Sequence, residues 1–274
     1  MDSLSPVRLP LVRVLATLQH ALLTRGVDVD VGEWQSIRGG VTAQTLELRN
    51  VSFQTAIPSS VSTLVESIRP NLPWAEDHFG ERIGGEPLNP PPSSAYWPFT
   101  QQGHAEHVDA TGKFSHTYPE RLWPRYVNVD KPDDEGGGAS WGLRYRLGDL
   151  DDVVSQLARS LHTRQAFIPI WFPEDTGATS QQRVPCTIGY HMLVRDRVMH
   201  CTYYIRSCDL LRHFSDDVYL AMRLTQWLCL RLQSVAPGLV PGVLTMHIAS
   251  LHVFEADRET LNYRYARERR RLDG

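Results

Sequence analysis

A cysteine and an arginine, twenty residues apart, are the side chains of this sequence best suited to chemistry. Cys186 follows a proline at the start of an alternating segment, and Arg206 lies in the next alternating segment. A guanidinium close to a thiol stabilises the thiolate, which is the nucleophilic form of cysteine. The alternative interpretation is an inert cysteine that only packs in an apolar strand, as buried cysteines commonly do.

The elements around this pair predict how it is positioned. Residues 183–209 alternate on both sides of Arg-Asp-Arg at 195–197, which predicts two strands joined by a hairpin. Helical periodicity predicts a helix at 147–162, with Asp149 near its start, and another at 216–236. A last strand is expected at 243–256. Strands paired by hairpins, with separate helices, favour an α+β fold.

The first half is less regular. The pattern predicts an amphipathic helix at 9–23, a strand after the Gly-Gly turn at 42–58, and two helices within 59–83. Ser59 or Ser60 is suited to cap the first of that pair. From Gly84 to about residue 138, proline and glycine clusters predict a loop-rich insertion. Its aromatic residues indicate that this insertion packs on the domain as a covering.

Composition excludes several functional classes. The 274 residues carry 28 Lys and Arg against 31 Asp and Glu, a net charge of −3, which argues against a globally basic nucleic-acid binder. The basic stretch at 263–271 is expected to be a solvated helix end. Four cysteines without a Cys-x-x-Cys pair indicate neither a disulfide framework nor a zinc site. No segment is apolar enough to span a membrane, so we expect a soluble, cytoplasmic protein.

The segments around Cys186 resemble the thymidylate synthase family, including its pyrimidine nucleotide hydroxymethylase branch. The resemblance spans roughly 33–257 and is strong from 141 onward. It rests on Pro-Cys-Thr at 185–187, Arg-Ser-Cys-Asp at 206–209, Leu-His-Val-Phe at 251–254, Trp-Phe-Pro at 171–173, Trp-Gly-Leu-Arg-Tyr-Arg at 141–146 and Ser-Ile-Arg-Gly-Gly at 36–40. It implies one thymidylate synthase-like catalytic domain over 1–274. It also implies a mixed sheet flanked by helices, and a homodimer built sheet against sheet.

The resemblance also implies roles for individual residues. Cys186 would add to C6 of a pyrimidine nucleoside monophosphate, and 5,10-methylenetetrahydrofolate would be the cofactor. Asp209 would face the folate pterin, and His252 would approach the sugar. The nucleotide phosphate would be held by Arg38, Arg164, Arg206 and Ser207, with Arg164 arriving from the other subunit. Guanidinium forks and a hydroxyl suit a phosphate.

One departure from the family pattern concerns the base. Synthases have an asparagine eight residues after the motif aspartate, where this sequence has Asp217. A carboxylate accepts a hydrogen bond from the 4-amino group of cytosine but leaves the 4-carbonyl of uracil without a donor, so we favour a cytidine monophosphate. Between the two sugars we favour dCMP over CMP. The alternative is that Asp217 or Asp216 caps the following helix. Histidine, glutamine and two tyrosines of the synthases are also replaced, by Thr187, Ile205, Trp141 and Phe254.

Other choices stay open. Glu76 and Glu81 are both candidates for the glutamate that organises water in this family; they lie on different faces of one helix, and we favour Glu81. Trp97 is suited to stack on folate or simply to pack a lid. The preferred reaction is 5-hydroxymethylation by water capture of the exocyclic methylene. The alternatives are methylation of dUMP by a thymidylate synthase and a nucleotide-binding homologue without turnover.

Overall fold

The computed structural model describes residues 6–31, 44–99, 108–127, 146–176 and 183–273. Two positions of the sequence hypothesis, Arg38 and Trp141, lie outside these ranges, and their predicted roles stay predictions.

The helices follow the sequence prediction closely. In the described residues they are α1 (Leu11–Arg25), α2 (Val61–Ile68), α3 (Trp74–Ile83), α4 (Tyr118–Leu122), α5 (Leu150–Arg159), α6 (Pro173–Thr176), α7 (Phe214–Arg231) and α8 (Arg258–Asp273). Ser60 caps α2 by accepting from the backbone N–H of Thr63. Asp149 and Asp152 form a capping box at the start of α5. Ser60 is one of the two predicted caps, and Asp149 lies near the predicted start of its helix.

The strands form one mixed sheet. They are β1 (Val7–Arg8), β2 (Val27–Asp30), β3 (Gln44–Ala56), β4 (Phe167–Pro169), β5 (Thr187–Arg195), β6 (Val198–Asp209) and β7 (Val240–Phe254). The order is β1-β3-β7-β6-β5-β4, with β2 paired to β3. Two pairs are parallel, β1 with β3 and β6 with β7, and the other pairs are antiparallel. This confirms the expected α+β fold with a mixed sheet.

The core lies between the sheet and helices packed on one face. Alternate residues of β6, among them Cys201 and Tyr203, are fully buried there, and α7, which carries the fully buried Phe214 and Tyr219, packs against this strand. Burial of these apolar side chains is the main stabilising contribution, about 25 cal/mol for each Å² removed from water.

The opposite face of the sheet is only partly covered in the described chain. Ile188 and Phe167 expose 41% and 38% of their surface there. Tyr204 stacks on His247 with ring centroids 5.3 Å apart, beside a shallow depression of about 220 Å³. This face is defined here as the outer face of the sheet.

The β5–β6 hairpin turns where the sequence predicts. Asp196 and Arg197 have φ of 51° and 59°, the left-handed pair of a two-residue hairpin turn. At the other end, the pairing shifts register between Thr187 and Gly189. A Cβ on Gly189 would lie 2.6 Å from the carbonyl oxygen of Ile168, so β4 approaches too closely for any side chain. The irregularity sets the start of β5, next to Cys186.

The insertion predicted at about 84–138 packs more firmly than its composition indicates. Its described part contains α4, which starts with a capping box between Thr117 and Glu120. Trp123 exposes 2% of its surface, and its indole N–H donates to the carbonyl oxygen of Arg82 at 2.9 Å. The aromatic covering was predicted. The helix was not predicted, and it carries Tyr118 into the interior.

Candidate active site

Cys186 is half-buried immediately before β5, and Arg206 lies directly opposite on β6. The Arg206 backbone N–H donates to the carbonyl oxygen of Cys186 at 2.8 Å. Burial raises the pKa of the Cys186 thiol, and the positive charges of Arg206 and Arg183 only oppose this effect. Arg206 thus favours the thiolate, as the sequence predicts, but desolvation is the larger effect and the pKa of the thiol lies above its ordinary value.

Arg206 fixes the segment that leads to the cysteine. Its Nε donates to the carbonyl oxygen of Pro185 at 2.9 Å, and its Nη2 donates to that of Val184 at 3.0 Å. The guanidinium also lies over the Trp171 ring, 5.6 Å from the centroid. Two of the five donors are thus used by the backbone, and the others can face a ligand.

Asp217 lies in the first turn of α7, close enough to Cys186 for its negative charge to raise the pKa of the thiol. Burial raises the pKa of its carboxyl to about 7, while the positive charge of Arg82 and hydrogen bonds from Cys208 and Tyr203 lower it. The Cys208 Sγ lies 3.6 Å from Asp217 Oδ2. The carboxyl is therefore balanced between its neutral and ionised forms near neutral pH.

Its neighbour Asp216 binds Asn71 instead. Asp216 Oδ1 accepts from the backbone N–H of Asn71 at 2.8 Å, and Oδ2 accepts from the Asn71 side chain at 2.8 Å. The N-cap position of α7 is His213, whose side chain makes no capping bond. Neither aspartate caps α7, which removes that alternative for Asp217.

A chain of hydroxyl groups connects Asp217 with the insertion. The Tyr118 hydroxyl lies 2.9 Å from Thr187 Oγ1, which lies 2.9 Å from the Tyr203 hydroxyl. Tyr203 in turn acts on the carboxyl of Asp217, whose pKa it lowers. Burial raises the pKa of both phenols, so they stay protonated. We define Tyr118, Thr187, Tyr203 and Asp217 as the hydroxyl chain. It runs beside Cys186, since Thr187 is the next residue.

Sequence reasoning named Thr187 and Asp217 but missed the two tyrosines of this chain. Alternation along β6 predicts that Tyr203 points inward, but not what it meets. Tyr118 and Arg82 gave no signal, because they reach the pocket through tertiary packing. The Arg82 guanidinium lies 3.8 Å from the centroid of the Tyr118 ring.

Asp209 and His252 lie side by side where β6 and β7 end. They are paired residues of the parallel ladder. Asp209 Oδ1 accepts from the backbone N–H groups of Leu211 and Arg212, at 2.9 and 3.1 Å. Burial raises the pKa of Asp209, against the influence of His252 and Arg212. Ser207 lies on the same strand, opposite Ser250. The motif residues of β6 and β7 thus meet at one end of the sheet.

The two candidate glutamates diverge as their spacing predicts. Glu76 is partly exposed and binds Arg223 at 2.6 Å and the Tyr219 hydroxyl at 2.6 Å. Glu81 is more enclosed and accepts from Ser93 N–H at 2.6 Å and from His78 at 3.1 Å. Burial acts to raise the pKa of Glu81, but these hydrogen bonds hold it below its usual value. Glu81 is therefore an ionised, inward-facing carboxylate that holds the segment after α3.

Trp97 and Arg164 are placed further out. Trp97 stacks on His213, with ring centroids 5.4 Å apart and planes 9° from parallel, so the structure shows it packing the covering. Arg164 is exposed before β4, and its carbonyl oxygen accepts from His191 at 2.9 Å. Within one chain, the described contacts do not bring Arg164 to Cys186.

Within the described ranges, no group of three or more His, Cys, Asp or Glu side chains is arranged to hold a metal ion. None of the helices in those ranges combines the length and apolar character of a membrane-spanning segment.

Comparison with known proteins identifies the family. A sequence profile described as "Thymidylate synthase" matches residues 105–273, which is more than half of the chain. The chain therefore belongs to the thymidylate synthase family. Enzymes of this family transfer a one-carbon unit from methylenetetrahydrofolate to a pyrimidine nucleotide.

Individual relatives are distant. A protein of Methanococcoides burtonii described as "Putative thymidylate synthase" is 28% identical over 123 residues, 43% of this chain and 54% of that protein. One of Methanosarcina barkeri with the same description is 24% identical over 147 residues, 54% of this chain and 56% of that protein. The chain spans about half the length of the curated relatives it matches.

A solved structure shares the fold. Thermostable thymidylate synthase A from Bacillus subtilis superimposes with a TM-score of 0.66, over 94% of this chain and 84% of that chain, at 13% identity. At such low identity the likeness concerns the fold alone.

Proposed function

We propose that this protein transfers a one-carbon unit to C5 of a cytidine monophosphate, dCMP before CMP, and releases the 5-hydroxymethyl product. The observation that carries the proposal is one pocket that contains a cysteine, an arginine next to it and a carboxyl whose pKa is about 7.

Each of these groups has a defined task. The Cys186 sulfur bonds to C6 of the ring, so that the C5=C6 electron pair becomes available at C5. The free donors of Arg206, together with Ser207, bind the nucleotide phosphate. The hydroxyl chain can pass a proton to or from the region of the base. When the new substituent is complete, the sulfur–C6 bond breaks and Cys186 leaves as a thiolate.

The residues present fit a folate cofactor. Asp209 Oδ2 is enclosed, lies 3.6 Å from Arg212 Nε and has no hydrogen-bond partner among the described residues. An enclosed acceptor of this kind suits an N–H group of the pterin ring. When bound, 5,10-methylenetetrahydrofolate supplies the one-carbon unit. Asp209 would hold and orient it, and Trp97 would cover it.

Asp217 supports cytosine as the base. An ionised carboxylate only accepts hydrogen bonds, so it pairs with the 4-amino group of cytosine and leaves the 4-carbonyl of uracil without a donor. The neutral acid carries one O–H and can also donate to that carbonyl. With the pKa of Asp217 at about 7, the preference for cytosine is expected to strengthen as the pH rises.

A second candidate function is methylation of dUMP, because the curated relatives are described as thymidylate synthases. The deciding experiment incubates the pure protein with 5,10-methylenetetrahydrofolate and either dCMP, CMP, dUMP or UMP, followed by mass analysis. A gain of CH₂O on dCMP or CMP supports our proposal. A methyl product from dUMP alone would establish the second candidate. Nucleotide binding without any product would indicate a homologue without turnover.

We also propose a homodimer formed through the outer face of the sheet. The exposed Ile188 and Phe167 and the stacked Tyr204–His247 pair give this face the apolar and aromatic character of an interface. In such a dimer, Arg164 would bind the nucleotide phosphate in the partner's site.

A further inference from the structure

Arg82 is a buried cation that forms no ion pair within the described part of the chain. The residue, in the last turn of α3, exposes 7% of its surface. Among the described residues its enclosed Nε has no hydrogen-bond partner, and no carboxylate there lies within ion-pair distance of the guanidinium. The guanidinium lies over the face of the Tyr118 ring, 3.8 Å from its centroid.

This arrangement differs from that of two other enclosed arginines, Arg121 and Arg223. Arg121, equally buried, forms two parallel bonds to Asp175 at 2.9 and 2.8 Å. Arg223, on the neighbouring helix α7, is paired with Glu76 at 2.6 Å. Burial of an unpaired charge costs far more than burial of a paired one. The cost at Arg82 is explained if its partner is a ligand.

The surroundings of Arg82 indicate where that ligand lies. The Tyr118 ring beneath the guanidinium belongs to the hydroxyl chain, which runs through Thr187 beside Cys186. The positive charge of Arg82 also acts on the carboxyl of Asp217. Arg82 therefore directs its charge into the pocket where the proposed pyrimidine ring would meet Cys186 and Asp217.

Negative charge develops in that ring during the proposed reaction. As the sulfur–C6 bond forms, the C5=C6 electron pair moves to C5 and is shared through C4 with N3 or the 4-substituent. The proton of the thiol passes to a neighbouring acceptor or to solvent. We propose that Arg82 stabilises this charge on the pyrimidine ring while Cys186 adds to C6. This inference rests on the proposed function.

The addition step can be measured without folate. Reversible addition of Cys186 makes C5 basic, so the hydrogen on C5 exchanges with deuterium from D₂O, which proton NMR follows. We expect Arg82→Gln to slow this exchange by about 100-fold or more, as loss of one charge-stabilising donor does elsewhere. Nucleotide affinity should change less than the exchange rate. Arg223→Gln is the matched control and should exchange at the wild-type rate.

The variants also separate the possible failures. Wild-type protein that exchanges no pyrimidine nucleotide would contradict the proposed function itself. Wild-type exchange that persists unchanged in a folded Arg82→Gln protein would overturn only the role of Arg82. If Arg82→Gln does not fold, Arg82→Lys and Arg82→Ala with added guanidinium ion take its place. We expect Arg82→Lys to exchange at a reduced rate, and added guanidinium to restore exchange in Arg82→Ala. If Arg82→Ala exchanges at the wild-type rate with or without guanidinium, the proposal is overturned.

Discussion

The Tyr203 hydroxyl lies 2.9 Å from Oγ1 of Thr187, the residue that follows Cys186. Each hydroxyl carries a single hydrogen. When Tyr203 donates to ionised Asp217, it must accept from Thr187, and Thr187 must accept from Tyr118. When Asp217 is protonated, the direction of all three bonds can reverse. The hydroxyl chain thus links the protonation state of Asp217 to Tyr118, the residue over whose ring Arg82 lies.

The first prediction concerns the middle of that chain. Thr187→Val keeps the side-chain volume but removes the hydroxyl, so proton movement between Tyr118 and Tyr203 should stop. We expect kcat to fall by about 100-fold, the range of a lost acid–base contribution. Thr187→Ser, which keeps the hydroxyl, should stay close to wild type. Equal activity in the two variants would show that the chain has no part in turnover.

The second prediction is a pH dependence of base preference. Burial places the pKa of Asp217 at about 7, so the carboxyl is neutral below that pH and ionised above it. The dissociation constant of dUMP divided by that of dCMP should therefore rise with pH, and the midpoint of this rise should lie near pH 7. The expected change is about ten-fold to 100-fold, the value of one unpaired polar group. Calorimetric titrations on both sides of pH 7 measure it; a constant ratio contradicts the assignment.

The third prediction compares two adjacent aspartates. Asp217→Asn should shift binding toward uracil nucleotides, because an amide can both donate and accept. Asp217 has a raised pKa, so it stays protonated in the folded state while the unfolded chain ionises, and stability falls as pH rises from about 4 to about 7; Asp217→Asn should remove that loss. Asp216→Asn should instead weaken the bonds to Asn71, at about 1–3 kcal/mol. A shift toward uracil nucleotides in Asp216→Asn rather than in Asp217→Asn would refute the assignment of base recognition to Asp217.

The fourth prediction concerns thiol reactivity. Burial raises the pKa of Cys186, so its thiolate fraction should increase with pH throughout the range up to 9. Alkylation by iodoacetamide should accelerate steadily over that range. The other three cysteines are buried, and Cys186→Ala provides the background rate. A rate already at its plateau below pH 7 would show an activated thiolate in the ligand-free protein.

The fifth prediction tests the outer face of the sheet. Ile188→Arg places a charge in the proposed interface and should convert dimers into monomers, measured by light scattering after gel filtration. Val235→Arg is the matched control, since Val235 is also exposed, at 55%, but lies beyond α7. A wild-type monomer, or an Ile188→Arg dimer, would contradict the proposed assembly.

Local signals explain which elements the sequence predicted well. The caps at Ser60 and Asp149 and the β5–β6 hairpin depend on neighbouring residues only. The pairing of Cys186 with Arg206 followed from the same hairpin. Arg82 and Tyr118 were missed because their approach depends on packing between α3 and α4. The influence of Arg206 on the Cys186 thiol was predicted but the larger effect of burial was not, because charge can be read from a sequence more readily than desolvation.

The family profile begins at residue 105, yet two necessary parts of the fold precede that point. Strand β3 pairs with β7 from Thr45 to Ala56, and α3 carries Arg82. A shortened chain starting at residue 105 would leave one edge of β7 with unpaired backbone N–H and C=O groups, which can bind the same edge of another molecule. We expect such a chain to aggregate rather than to retain a weaker activity.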